Sequence, residues 1–386
     1  MTKDLELTDW EVLEQARSRL EEHMPLKAEG YKCSTEDLWN VLLAAAVNRD
    51  TIESVCADLV GTPDPETIRR YLNEQLTVER LPELERQLNA ALAVEVPARI
   101  RHREQDVAID LHDRPYYGKV SQEKGLWVRG KAKDGTTRFY RVATAYVMLK
   151  GLRFTLAIHF FVPGDETVTV LDTLLERLRE MGIRVRRLFL DKGFSGIKVL
   201  EYLTQHRQPA VIACPIRGKK GGTRALCRGN KSYQTRYTFK NGDNAFTADL
   251  SVCRVFTTAK RTGRMKRRAT WLIFILIHLD LSPRQTRRLY RRRFGIETSY
   301  RCAGRVRGWT TSPNPVYRFL LIGLSFFLLD IWLHLRWLFT QVPRRGRRYL
   351  DEGRFRLARF ARFITHALEQ HYGCVYSITA PARPRP

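Results

Sequence analysis

Tyr290-Arg-Arg-Arg293-Phe-Gly-Ile-Glu297 is the stretch from which the rest of the chain can be read. Tyr290, Arg293 and Glu297 stand at i, i+3 and i+7, the spacing that lays three side chains along one helical face. The start of that helix is marked in the sequence. Ser282 is a good N-cap, Pro283 suits the first turn, and Gln285 three residues after the cap completes a capping box. One helix running on through Glu297 is the expectation.

Far upstream, two isolated acids each close an apolar, β-like run: Val107-Ala-Ile-Asp110 and Leu188-Phe-Leu-Asp191. Two strand-end carboxylates and a helix-borne Glu make an all-oxygen donor set, the kind that suits Mg²⁺ or Mn²⁺ and two-metal phosphoryl chemistry. Each acid also has a plainer reading. Asp110 can cap a turn, Asp191 can begin a helix, and Glu297 can pair on the surface with Arg293 or Arg301. Against the last, Arg287, Arg288, Arg291, Arg292 and Arg293 crowd one segment and repel one another unless they meet an anion. Asp113, in the turn expected after the first run, is a weaker competitor for the ligand role, and His112 reads as structural because a hard-cation site has no need of it.

The whole chain is basic. Its 386 residues carry 67 Lys and Arg against 41 Asp and Glu, a net +26 that points to a polyanionic partner, nucleic acid ahead of acidic proteins or anionic lipid. The seven cysteines contain no CxxC pair, which argues against a zinc knuckle or a disulfide framework and for a reducing compartment. The first residues show no apolar signal region. The longest apolar run, from Phe319, is bracketed by Arg318 and Asp330 and reads as a buried helix behind a catalytic sheet rather than a membrane span.

Residues 1–103 have a helical texture. Thr51-Ile-Glu-Ser-Val-Cys-Ala-Asp-Leu, a Gly-bearing turn and Glu66-Thr-Ile-Arg69-Arg70-Tyr-Leu suggest a helix-turn-helix with Arg69 and Arg70 facing DNA; a plain helical bundle is the alternative. From 104 to 215 strands dominate in the order β-β-β-α-β-α-β, with a hairpin expected about Lys150-Gly151, and this implies a mixed α/β sheet flanked by helices. Residues 216–280 read as a β-rich insertion with basic loops, in which Asn241-Gly242 signals a hairpin. Residues 281–340 return to the catalytic domain, and 341–386 form a basic C-terminal helix and tail ending in disordered Ala-Arg-Pro-Arg-Pro.

Taken together, these motifs resemble the DDE transposases of prokaryotic insertion sequences, the group marked by Tyr, two residues, Arg, three residues, Glu, six residues, Lys. Tyr290, Arg293 and Glu297 match in type and spacing. The Lys position falls on Gly304, and Arg301 or Arg305 is offered in its place. Asp191-Lys-Gly-Phe resembles the second-acid context, and Asp110 followed by Pro-Tyr-Tyr-Gly118 the first. The resemblance covers about 104 to 335. It implies an RNase H-like fold, a catalytic and metal-binding triad of Asp110, Asp191 and Glu297, and two Mg²⁺ or Mn²⁺ ions. Tyr290 and Arg293 would hold the scissile phosphate, and Trp271 in the insertion is a candidate for stacking on a flipped base, with a core role as its plainer reading. The implied partners are transposon-end and target DNA and a second copy in the synaptic complex, in a prokaryotic cytoplasm at the nucleoid, with neither membrane nor nucleotide cofactor. The rival readings are a DNA-binding descendant without catalytic activity and an RNase H-like nuclease that cuts without joining.

Overall fold

The computed structural model describes residues 6–24, 26–118, 126–149, 152–261, 264–342 and 349–378. The Lys150-Gly151 turn and the final Ala-Arg-Pro-Arg-Pro lie outside them. The chain divides into two compact units: Met1–Val96, Gly118–Gly125 and Tyr300–Pro386 form one, Pro97–Tyr117 and Leu126–Ser299 the other.

The second unit is built on one mixed sheet of nine strands among the described residues. In chain order these are β1 (Glu104–Pro115), β2 (Val128–Lys133), β3 (Thr136–Val147), β4 (Thr155–Phe160), β5 (Arg184–Leu190), β6 (Ala210–Cys214), β7 (Tyr233–Asn241), β8 (Asn244–Arg261) and β9 (Arg264–Ile277). The order across the sheet is β2-β3-β1-β5-β6-β9-β8-β7, and β4 also pairs with β3. Its kernel β4-β3-β1-β5-β6 runs antiparallel as far as β1 and parallel through β5 and β6, the RNase H-like arrangement. Central parallel strands are covered on both faces, which is why Val107-Ala-Ile109 and Leu188-Phe-Leu190 are apolar without alternation and fully buried. The helix Thr167–Glu180 buries the expected stripe of Val170, Leu171, Leu174, Leu175 and Leu178.

The β-rich insertion takes a form that its sequence did not suggest. β9 pairs antiparallel with β6, from Ile273↔Cys214 to Ile277↔Ala210, so the segment prolongs the central sheet. The expected hairpin is present, with Asn241 facing Asn244 and Gly242 at φ +60°, a left-handed conformation that glycine adopts without strain.

The first unit is helical. Its segments include Asp9–His23, Thr35–Asn48, Ile52–Asp58, Pro65–Gln75, Leu81–Glu95, Pro315–Phe339 and Leu357–Tyr372. Capping boxes at Thr8/Glu11 and Ser34/Asp37 set the first two starts. Pro315–Phe339 is apolar and long enough to cross a membrane by composition, yet 94% of its apolar window is buried in protein. It packs within the core of this helical unit, against the helices Leu81–Glu95, Asp9–His23, Thr35–Asn48 and Leu357–Tyr372. An apolar surface on all sides needs helical neighbours on several sides, and Gly323 lies so close to Leu88 that a Cβ there would collide with it.

Candidate active site

Two acids meet because two parallel strands end together. In the β1–β5 register Ile109 pairs with Leu190, so the next residues along are Asp110 and Asp191, about 5 Å apart along the hydrogen-bonding direction. β5 stops there. Asp191 keeps an extended backbone, and a 3₁₀ turn over Lys192–Phe194 leads the chain away. β1 continues because β3 still holds it, with Asp110 opposite Thr144.

The helical segment carrying the third acid departs from the expected single helix. Pro283–Tyr290 is α-helical behind the expected Ser282 cap, Arg291–Phe294 is a 3₁₀ turn, and Gly295–Ala303 is α-helical again. In a 3₁₀ turn residues i and i+3 eclipse each other, which stacks Arg293 against Tyr290, its guanidinium 5.7 Å from the ring centre. Both side chains are buried. Arg293 pairs with Asp110 at 2.7 Å, and its backbone carbonyl accepts a 2.7 Å bond from the Tyr146 hydroxyl. The Tyr290 hydroxyl donates to the carbonyl of Leu190 at 3.0 Å, so it braces the strand end that presents Asp191. The expected role of Tyr290 as a donor to phosphate gives way to that strut. Glu297 is exposed and shares a cavity of about 360 Å³ with Asp191, Trp271, Tyr290, Arg293 and Phe294.

The electrostatics of this corner are unbalanced. Burial pushes the Asp110 carboxyl up to about 6; Arg293 opposes the rise, while Asp191 and Glu297 add to it. Asp110 therefore feels both other acids, and Arg293 does not offset its burial. Asp113, on β1 and not in a turn, is held by both nitrogens of an Arg141 fork at 2.6 and 2.9 Å, which removes it from the competition.

A hard divalent cation suits this donor set: all ligands are carboxylate oxygens, and the burial that raises Asp110, with a smaller push from Asp191 and Glu297, is a cost to its charged form that such an ion would relieve. Among the described residues no three His, Cys, Asp or Glu side chains are drawn tightly enough together to hold one ion as they stand. The fit is one of charge and ligand type.

The remaining candidates lie elsewhere. Trp271 is half-buried on the cavity wall. Arg301 is exposed one turn beyond Glu297 on the same helix, and Arg305 is exposed just after it. Arg69 belongs to the helical unit and is bonded to Glu53 and Glu66, while Arg70 pairs with Glu74 at 3.5 Å and lies over Tyr71. These in-chain partners weaken the case for Arg69 as a reader of DNA. Sequence reading missed Arg254 and Arg284, which join Arg287, Arg288, Arg291 and Arg292 in a second cleft. The signal for Arg284 was present, since 284, 287, 288, 291 and 292 repeat at helical spacing.

The transposase DDE domain family matches residues 101–313, a span that includes all three acids. The chain belongs to that family. It is a DDE transposase. Among solved structures, it is similar to a piggyBac transposase in a synaptic complex with hairpin DNA, determined by cryo-EM. The match covers 95% of this chain and 77% of that one, with a TM-score of 0.51 and 10% identity, a likeness of fold. No curated protein matches the sequence.

Proposed function

We propose that this DDE transposase serves a prokaryotic insertion sequence: it binds terminal inverted repeats, cleaves DNA at the element's ends and joins the 3′-hydroxyl ends to target DNA. The observation that supports this reading is that Asp191 and Glu297 line one cavity while the strand register sets Asp110 beside Asp191, with the Asp110 carboxyl raised to about 6 by burial and, to a lesser degree, by the other two acids. Asp110, Asp191 and Glu297 would hold two Mg²⁺ or Mn²⁺ ions. When bound, such ions supply the Lewis acidity that activates an attacking oxygen and stabilises a leaving one.

The protein's own groups do the rest. Arg293 fixes Asp110 and presents positive charge at the cavity wall. Tyr290 braces the strand end before Asp191. Trp271 and Phe294 give the wall aromatic surface on which a base can stack. Arg301 and Arg305 supply cations past Glu297, in place of the signature Lys. The helical segment 1–103, with Arg70 exposed beside Glu74 and Tyr71, is the candidate for end recognition, and a dimer in the synaptic complex would bring two ends together. The +26 charge supports a DNA partner.

Cleavage of a duplex carrying the element's own ends, with Mg²⁺ or Mn²⁺, tests this reading by comparing the wild type with Glu297→Gln. Metal-dependent nicking at the end and strand-transfer products, both lost in the variant, are expected. Tight binding without cleavage by the wild type would mark an inactive, DNA-binding descendant. Nicking without joined product would mark a nuclease.

A further inference from the structure

Beside the acid cavity lies a larger open cleft of about 770 Å³, lined by Arg254, Arg284, Arg287, Arg288, Arg291 and Arg292 over a neutral floor that includes Ser232 and Cys253. No carboxylate lines it. Five of the six arginines come from Pro283–Tyr290 and the turn that follows, at i, i+3, i+4, i+7 and i+8, so they form one stripe. Like charges at that spacing repel one another, and a merely solvated face would intersperse acids among them. Arg284, Arg287, Arg288 and Arg291 have no carboxylate partner among the described residues.

The outer arginines are held in place. Arg292 donates to the carbonyl of Met148 at 2.7 Å and reaches Asp106 at 3.7 Å, a carboxylate that Arg186 and Arg187 already bind. Arg254 donates to the carbonyl of Asn230 at 2.7 Å, and its guanidinium lies 5.3 Å over the Phe256 ring. A backbone carbonyl fixes the Arg254 head and leaves its charge for something else. Arg287 and Arg291 line both this cleft and the acid cavity, so the two adjoin across these residues.

We propose that this cleft is a phosphate clamp, which grips the backbone of one DNA strand and leads it to the acids. Eight residues of helical rise are about 12 Å, enough for roughly two to three successive phosphates of a strand. The grip is independent of sequence, because guanidinium forks meet phosphate oxygens and no base edge is needed. The clamp deepens the transposase reading and rests on it only in taking DNA as the ligand.

Binding measured without divalent metal keeps the two apart. Full-length protein is titrated into a short labelled duplex of arbitrary sequence, and into its single strand, from about 50 to 200 mM salt. Arg284→Ala/Arg288→Ala is the test variant, because neither residue lines the acid cavity. Its slope of log affinity against log salt should flatten by about 1.8 on duplex and about 1.4 on single strand, as expected for two lost phosphate contacts. Affinity at low salt should fall at least about tenfold, and Arg284→Lys/Arg288→Lys should restore most of both, since a point charge still neutralises phosphate. The melting temperature should hold or rise as repulsion is relieved.

Unchanged slopes overturn the clamp. A loss on duplex alone overturns the one-strand assignment, and a loss that the Lys variant shares together with a falling melting temperature marks a structural role. A wild type that binds in this way but never cuts its ends would sink the proposed activity and leave the clamp standing.

Discussion

Asp106 and Asp110 lie four residues apart on β1, on the same face of one strand, and the fold treats them oppositely. The strand pair that supplies their neighbours keeps one offset over this stretch: Arg187 falls beside Asp106, and Asp191 beside Asp110. Asp106 is almost fully buried, and Arg186 and Arg187 bind it at 2.9 and 2.8 Å, with Arg292 at 3.7 Å. Burial pushes its carboxyl up, but the hydrogen bonds from Arg187 and Arg186 outweigh it and hold the group below the usual range. Asp110 is also buried, has one arginine and faces two further acids, and its carboxyl ends at about 6. An acid whose neighbours are cations is structural. An acid whose neighbour across the ladder is a second acid is a site waiting for positive charge.

Substitution should break this comparison most sharply. Asp191→Asn is expected to lower end cleavage by about 10³-fold or more, because loss of one acid from a metal-assisted site costs several kcal/mol of transition-state stabilisation. DNA binding and melting temperature should be kept, since relief of repulsion with Asp110 favours the fold. Asp106→Asn should do the reverse. Removing the anion from a cluster of arginines costs about 3 kcal/mol of stability, seen as a fall in the denaturation midpoint, with cleavage by the folded fraction little changed. Equal losses of stability in the two variants would mean that Asp191 is structural as well.

Acid titration sharpens the same contrast at a smaller magnitude. The folded value of Asp110 is about 6 against an ordinary 3.8, so between those pH values the folded state binds the extra proton. Metal-free protein should therefore lose stability from this group as pH rises from about 4 to 6, by about 3 kcal/mol at most. Asp106, with its depressed value, contributes stability above the ordinary carboxylate range and loses it as pH falls through its folded value. Urea unfolding in EDTA across this window should show a falling limb that Asp110→Asn flattens. A slope identical in variant and wild type would mean that Asp110 titrates as an ordinary carboxylate.

The sequence disclosed the acids better than their surroundings. Asp110 and Asp191 were legible because a lone charge ending an apolar run has few purposes, and Ser282, Pro283 and Gln285 announced the helix start through local chemistry alone. The strands of the sheet's kernel followed from texture, and their RNase H-like arrangement from the family resemblance. The pairing of β9 with β6 did not, because it joins residues about sixty positions apart and periodicity carries no register. The 3₁₀ turn over Arg291–Phe294 was hidden for a related reason. Its spacing is compatible with a continuous helix, and the bonds that settle it come from Tyr146 and Asp110, far away in sequence. Arg187 looked like one basic residue among many until the register set it against Asp106.

The smallest expected effect concerns Tyr290, whose place in the motif suggests contact with the scissile phosphate. Its hydroxyl is buried and donates to the Leu190 carbonyl, one residue before Asp191, while its ring packs against Phe274 with centres 4.7 Å apart. Burial raises the phenol's pKa, so the hydroxyl stays protonated and remains a donor throughout the working range. Tyr290→Phe keeps the ring and removes only that bond, which should cost about 1 kcal/mol of stability. Cleavage should fall by no more than about tenfold, through looser placement of Asp191 and without loss of DNA affinity, since 1.4 kcal/mol corresponds to a factor of ten. A fall of a hundredfold or more at unchanged stability would return the hydroxyl to the phosphate and require the bond to Leu190 to break when DNA arrives. The structure favours the strut: the strand end that presents Asp191 has stopped pairing with β1 at that point, and the Tyr290 hydroxyl bonds the carbonyl just before it.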